Sequence, residues 1–315
     1  MLYLIGTLPS MIAVGMNPFI NAQGYSLTGM LSVAIGAAAN LVLDPLFIFT
    51  LDMGTAGAAL ATGLSQFISF CILLWMCNHQ DSCISISIRK FRPKLAIYRE
   101  IIYGGIPSLG RQGIASVATI LLNFMCQPYG DAAIAAMSIV SRFMFFINSV
   151  IIGFGQGFQP VCSYCFGAGL YDRVKKACWF CIRVSTIILL VLSVISFPAA
   201  RSIITLFRRN DPTVIEIGTL ALRLQLITLP LQGAVIMGNM MPQSIGYGFR
   251  ATLVSTARQG IFLIPLLTIM AYTIGLLGIQ CAQPLADIAT FILSLFVIRG
   301  IFKEFPEDAS SFAAQ

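Results

Sequence analysis

The chain has 315 residues, 57% of them hydrophobic and only 10% charged, with a net charge of +7 and a mean hydropathy of +0.88. Soluble domains carry about 25% charged residues; here the shortfall extends along the whole chain, which excludes a soluble domain with a single anchor and predicts an all-α polytopic membrane protein. The positive charge does not point to nucleic acid, because the basic residues lie between apolar segments, and the ten-residue alternation of a transmembrane β-barrel does not recur.

A helix needs about 20 apolar residues to cross the bilayer core. Nine segments qualify, near 1–19, 28–49, 54–77, 101–126, 132–155, 177–200, 215–241, 251–272 and 278–302. The first has no basic leader and no small-residue cleavage site, so it reads as a span rather than a signal peptide. With alternate connections inside, the inner ones hold twelve basic residues: Arg89, Lys90, Arg92, Lys94, Arg99, Arg173, Lys175, Lys176, Arg250, Arg258, Arg299 and Lys303. The outer ones hold three, Arg201, Arg208 and Arg209. The positive-inside rule then puts the C-terminus in the cytoplasm and Met1 outside, in a multi-pass protein of the cell membrane.

Within the first span stands Thr7-Leu8-Pro9, with Ala13, Val14 and Met16 behind it; Thr228-Leu229-Pro230, Ala234, Val235 and Met237 repeat all six at an offset of 221. Gly24-Tyr25 is answered by Gly246-Tyr247, Pro45 with Gly54 and Gly57 by Pro265 with Gly275 and Gly278, Ala61 by Ala282, and Gln66 by Asp287. Shared prolines and glycines are not what random apolar sequence supplies, so this is an internal duplication, a common build of secondary transporters. Only six residues precede the first copy, whereas the second follows a long apolar region. Equivalent halves would require about three more spans before Met1, so the chain is expected to be N-terminally truncated.

The second span carries Asn40 and Asp44, one helical turn apart and therefore on one face. A carboxylate in hydrocarbon costs about 2.5–3.5 kcal/mol on insertion scales, so Asp44 is a candidate ion or proton site. Asn40, and Thr62 in the third span, add neutral oxygens suited to Na⁺ or to hydrogen-bonding a carboxylate. The alternative is that Asp44-Pro45 caps a helix broken at the proline. Residues 78–99, the longest polar stretch, read as a cytoplasmic linker, with His79 a solvated residue lacking a ligand partner nearby.

Gly104-Gly105-Ile106-Pro107 loosens the next span near its start, and Arg111 is close enough to the inner face to snorkel. Arg142, near the middle of its span, and Asp287 form a candidate intramembrane charge pair; the alternative is that each faces a wet cavity separately. Gly153 to Pro160 reads as the end of the fifth span, and Tyr171 to Lys176 as an inner anchor. Cys162 with Cys165 and Cys178 with Cys181 have zinc-ribbon spacing. A ribbon needs turns where an apolar helix begins here, so no metal site is expected and the cysteines read as small apolar residues in a reducing compartment. No H-E-x-x-H, G-x-S-x-G or paired acids mark an intramembrane enzyme, and no P-loop marks an ATP-driven pump; no catalytic residue and no cofactor are expected.

Several motifs resemble the multidrug and toxic compound extrusion (MATE) family, the NorM- and DinF-like exporters. They are Asn21-Ala22-Gln23-Gly24, which lacks the charges of the family's loop, Asn40 to Pro45, Gly54 to Thr62, Gly105 to Ser108 and Gly155 to Pro160. The resemblance implies twelve helices in two pseudo-symmetric six-helix lobes, of which this chain would hold the fourth to twelfth. Residues 1–77 would be a partial N-lobe of three helices, 78–99 the linker, 100–305 a C-lobe of six helices and 306–315 a cytoplasmic tail. It also implies alternating-access export of amphipathic or cationic drug-like compounds by H⁺ or Na⁺ antiport, in a monomer embedded in the lipid bilayer, with Asn40, Asp44 and Thr62 in the coupling site. The C-lobe carboxylates of NorM-like members have no match, so the pattern is the N-lobe-coupled, DinF-like one. Two alternatives remain. One is a flippase for lipid-linked precursors, which needs a strongly basic cavity that Arg111, Arg142, Arg183 and Arg223 would have to supply. The other is a non-functional truncated remnant.

Overall fold

The computed structural model describes residues 2–22, 25–79, 95–208 and 211–305, and these form helices joined by short turns, with no β-strand. Most of the expected linker (80–94), the tail from 306, the loop at Gln23-Gly24 and Arg209 lie outside the described residues, as does the side chain of Arg111. The helices are α1 (Leu2–Ala22), α2 (Ser26–Pro45), α3 (Gly54–His79), α4 (Leu95–Cys126), α5 (Asp131–Gly167), α6 (Tyr171–Phe207), α7 (Pro212–Thr228), α8 (Gln232–Ser244), α9 (Gly248–Thr256), α10 (Leu263–Ile274) and α11 (Leu276–Glu304). They fall into two compact units, Met1–Lys94 and Leu95–Gln315. Seven helical runs among the described residues are long and apolar enough to cross a membrane. The two other expected spans are helical as well, in α1 and α4.

In the smaller unit α3 packs against both α1 and α2. Pro45 cannot donate to the helix ladder. The chain absorbs this by widening into a π turn at Leu46–Thr50, closed by the Leu51 N–H donating to the Leu46 carbonyl at 3.0 Å. Helix α3 then returns so closely that a Cβ on Gly57 would stand 2.7 Å from the Phe47 carbonyl oxygen. The duplicated position behaves alike in the larger unit, where a Cβ on Gly278 would overlap the Met270 carbonyl. The repeat is imperfect elsewhere. Pro9 sits inside α1, whereas Pro230 lies in the 3₁₀ turn Leu229–Leu231 between α7 and α8.

The larger unit holds the main core, built on Leu189, Ile204, Leu222, Leu226, Met237, Leu267, Ile279 and Ile298. Helix α6 shows the solvent logic of the fold. Its buried face includes Ser185, Ser193 and Ser196, while Phe180, Ile187, Leu190, Val194 and Ile195 point outward. Small polar residues let neighbouring helices approach and bond, as Ser193 does by donating to the Leu226 carbonyl at 2.6 Å. The outward apolar residues face lipid. The long apolar helices with large apolar side chains on their outer faces make the chain an all-α polytopic membrane protein.

Several boundaries differ from those read in the sequence. The run Gly153–Pro160 does not end its helix; α5 continues through Pro160 to Gly167, since one lost ladder bond is tolerated in a packed membrane helix. Asn78 and His79 close α3, and residues 95–99 open α4. Tyr171 to Lys176 form the first turns of α6. Cys162 lies on α5, and Cys178 and Cys181 on α6, all three in the hydrophobic core.

Candidate functional site

Among the described residues, polar groups stand inside the apolar helices of both units, and one set in each carries a carboxylate. In the smaller unit Asn40 and Asp44 occupy one face of α2, with Asn40 Nδ2 3.4 Å from Asp44 Oδ1, and both side chains are half-buried. The helix runs unbroken from Ser26 through Pro45 into the π turn, and no side chain caps that turn. The N-cap geometry considered for Asp44-Pro45 is therefore not adopted.

Helices α2 and α3 meet along a close seam. Ser69 Oγ donates to the Ser32 carbonyl at 2.9 Å. One turn along, a Cβ on Gly36 would meet Ser69 Cβ at 2.9 Å and the Ser65 carbonyl at 3.3 Å. Nearer the turn, Gly57 stands against the Phe47 carbonyl. The Thr62 hydroxyl of α3 donates to the Ala58 carbonyl of its own helix at 2.9 Å. Asn40 turns its N–H side towards Asp44, an arrangement that hydrogen-bonds a carboxylate. Joint chelation of a cation would need the Asn40 amide rotated to present its oxygen.

The larger unit holds a tighter polar cluster, and here the expected pairing is corrected. Asp287 of α11 is 1% exposed and pairs with Arg258, not with Arg142: Arg258 Nε donates to Asp287 Oδ1 at 2.8 Å. Gln232 Nε2, at the start of α8, donates to Asp287 Oδ2 at 2.8 Å, and Gln283 Nε2 reaches Oδ1 at 3.3 Å. Arg142 lies on an exposed part of α5. Arg258 does not lie in an inner connection. It stands instead within the helical run Gly248–Ile274, on a π segment, Ala257–Phe262, that turns its guanidinium towards α11. Asp287 belongs to a stripe of buried or half-buried polar residues on α11, namely Gln280, Gln283, Asp287, Thr290 and Ser294. That three–four spacing was visible in the sequence and could have marked the face; Gln232 carried no comparable signal.

Several arginines of the larger unit have defined partners. Arg258 is neutralised by Asp287, and Arg223 lies over the Phe197 ring at 5.5 Å. Arg250 forks onto Glu304, with Nη1 donating to Oε2 at 2.9 Å.

Fold and polar sites together define a helical membrane protein that keeps a few ionisable groups on helix faces within its apolar runs, the pattern of a transport protein. The chain belongs to the MatE family, whose model matches residues 107–282. It is similar to the multidrug export protein MepA of Staphylococcus haemolyticus, 27% identical over 93% of this chain and 64% of that protein. It is also similar to MepA of Staphylococcus aureus, 28% identical over 89% and 61%. It thus spans less than two thirds of these relatives' length. Among solved structures it resembles a mutant of the Vibrio cholerae MATE transporter VcmN, with a TM-score of 0.87, 20% identity and coverage of 98% of this chain and 69% of that one. A MOP-superfamily transporter from Pyrococcus furiosus gives a TM-score of 0.82 at 25% identity, covering 90% and 64%.

Proposed function

We propose that this chain works in multidrug efflux across the cell membrane, exporting amphipathic or cationic drug-like compounds by alternating access in exchange for H⁺ or Na⁺. In this reading residues 1–77 form part of an N-lobe and 100–305 a C-lobe, the protein acts as a monomer, and its C-terminus is cytoplasmic. Family membership and the export proteins among its relatives support the general activity. The observation that carries the coupling mechanism is the half-buried Asp44 carboxylate, with Asn40 beside it, inside an apolar helical run. Asp44 would take up and release the coupling cation, Asn40 would hold the carboxylate's orientation, and Thr62 would add a neutral oxygen from α3.

The test is dye accumulation in a drug-sensitive host producing the chain. The wild type should lower accumulation, and Asp44→Asn should abolish this at an equal amount of protein in the membrane. Retained export in Asp44→Asn overturns the coupling role. No export by correctly inserted wild type overturns export by this chain alone. Reporter fusions at the C-terminus test the orientation: activity of a periplasmic reporter there would reverse it.

A further inference from the structure

The cluster around Asp287 is not absorbed by this mechanism, which runs through Asp44. It has three features. Asp287 is 1% exposed and carries a carboxylate within a membrane helix. Arg258, with 23% of its side chain exposed, reaches that carboxylate through Nε alone rather than by its terminal fork. Gln232 is also 1% exposed and gives its N–H to Asp287, yet its Oε1 is buried with no hydrogen-bond partner.

The orientation of the Gln232 amide is fixed, because the reverse would set its oxygen against the carboxylate. The unpartnered acceptor therefore belongs to the site, and a buried acceptor without a donor costs about 1–3 kcal/mol. A purely structural ion pair has no use for it. A single-bonded guanidinium with a path to the exterior is also an exchangeable partner, unlike a bidentate one.

We propose that Asp287, Gln232 and Arg258 form a recognition site for a protonated amine or amidine, in which the ligand displaces Arg258 from Asp287. One ligand N–H would take the place of Arg258 on Oδ1, and another would satisfy Gln232 Oε1, while the released guanidinium swings outward along its exposed side. The site selects cations that carry N–H donors over quaternary ones, which offer charge but leave Gln232 Oε1 unpaired. That this cation is also cargo rests on the export reading above; the binding itself does not.

The experiment is calorimetric titration of the purified chain in nanodiscs with 4-phenylbutylammonium and with its N,N,N-trimethyl analogue. The primary ammonium should bind at least about tenfold tighter, since a site built to hydrogen-bond its ligand rejects an analogue lacking the donor. Arg258→Gln, which removes the competitor, should tighten binding of the primary ammonium. The double variant Arg258→Gln with Asp287→Asn should lose it. The double variant leaves no buried charge unpaired, so it decides the matter where a single variant fails to fold. Equal affinity for the two probes, or unchanged binding in the double variant, overturns the proposal. Dye export without amine binding would refute this inference and leave the export reading standing; amine binding without export would do the reverse.

Discussion

Neutralising Arg258 and Asp287 singly and together tests whether these two residues, on different helical runs, are energetically one unit. Arg258→Gln strands a carboxylate that is 1% exposed, with only the carboxamides of Gln232 and Gln283 left to serve it. Removing one partner of a buried pair costs about 3–5 kcal/mol. Asp287→Asn strands a guanidinium instead, but that side chain is 23% exposed and can extend towards water, so the expected loss is smaller, about 2–3 kcal/mol. Independent effects would sum to about 6 kcal/mol. Because the double variant buries no unpaired charge, its loss should be about 3 kcal/mol or less, giving a coupling energy of about 3 kcal/mol. The assay is equilibrium unfolding in mixed micelles at rising SDS fraction, followed by circular dichroism. Arg142→Gln serves as the control and should combine additively with Asp287→Asn. Additivity of Arg258→Gln with Asp287→Asn, or equally strong coupling to Arg142, would refute the reasoning.

Other substitutions probe the close helix contacts. Gly278→Ala should cost about 3 kcal/mol or more in the same unfolding assay, because its new methyl overlaps the Met270 backbone, which cannot swing away. Gly155→Ala should cost clearly less, since the atom in its way is the thioether of Met240, at the end of a flexible side chain. Gly113→Ala, which meets nothing, should be neutral or stabilising by up to about 1 kcal/mol. Ser193→Ala removes the hydroxyl that ties α6 to the Leu226 carbonyl of α7, and should lower stability by about 0.6–1 kcal/mol.

The sequence by itself determined the solvent of this protein and the helical form of its apolar segments. Composition and apolar length speak to each segment separately, and a bilayer leaves a polypeptide little choice but to satisfy its backbone within each helix. It also determined the Asn40–Asp44 pairing, because one turn of a helix is a local fact, and the glycines at 57 and 278, which recur with their prolines in both copies of the repeat. The helix through Pro160 escaped it, because a proline stops a helix only when neighbours do not hold the two halves together. Which charge meets Asp287 was decided by tertiary structure alone. Arg142 and Arg258 are both basic residues near or within apolar segments, and nothing local separates them. The π segment at Ala257–Phe262 rotates Arg258 towards α11, while α5 carries Arg142 on an exposed face. The partner of a buried charge is set by how helices distant in sequence are turned against each other, and that rotation is a property of the packed assembly rather than of any one segment.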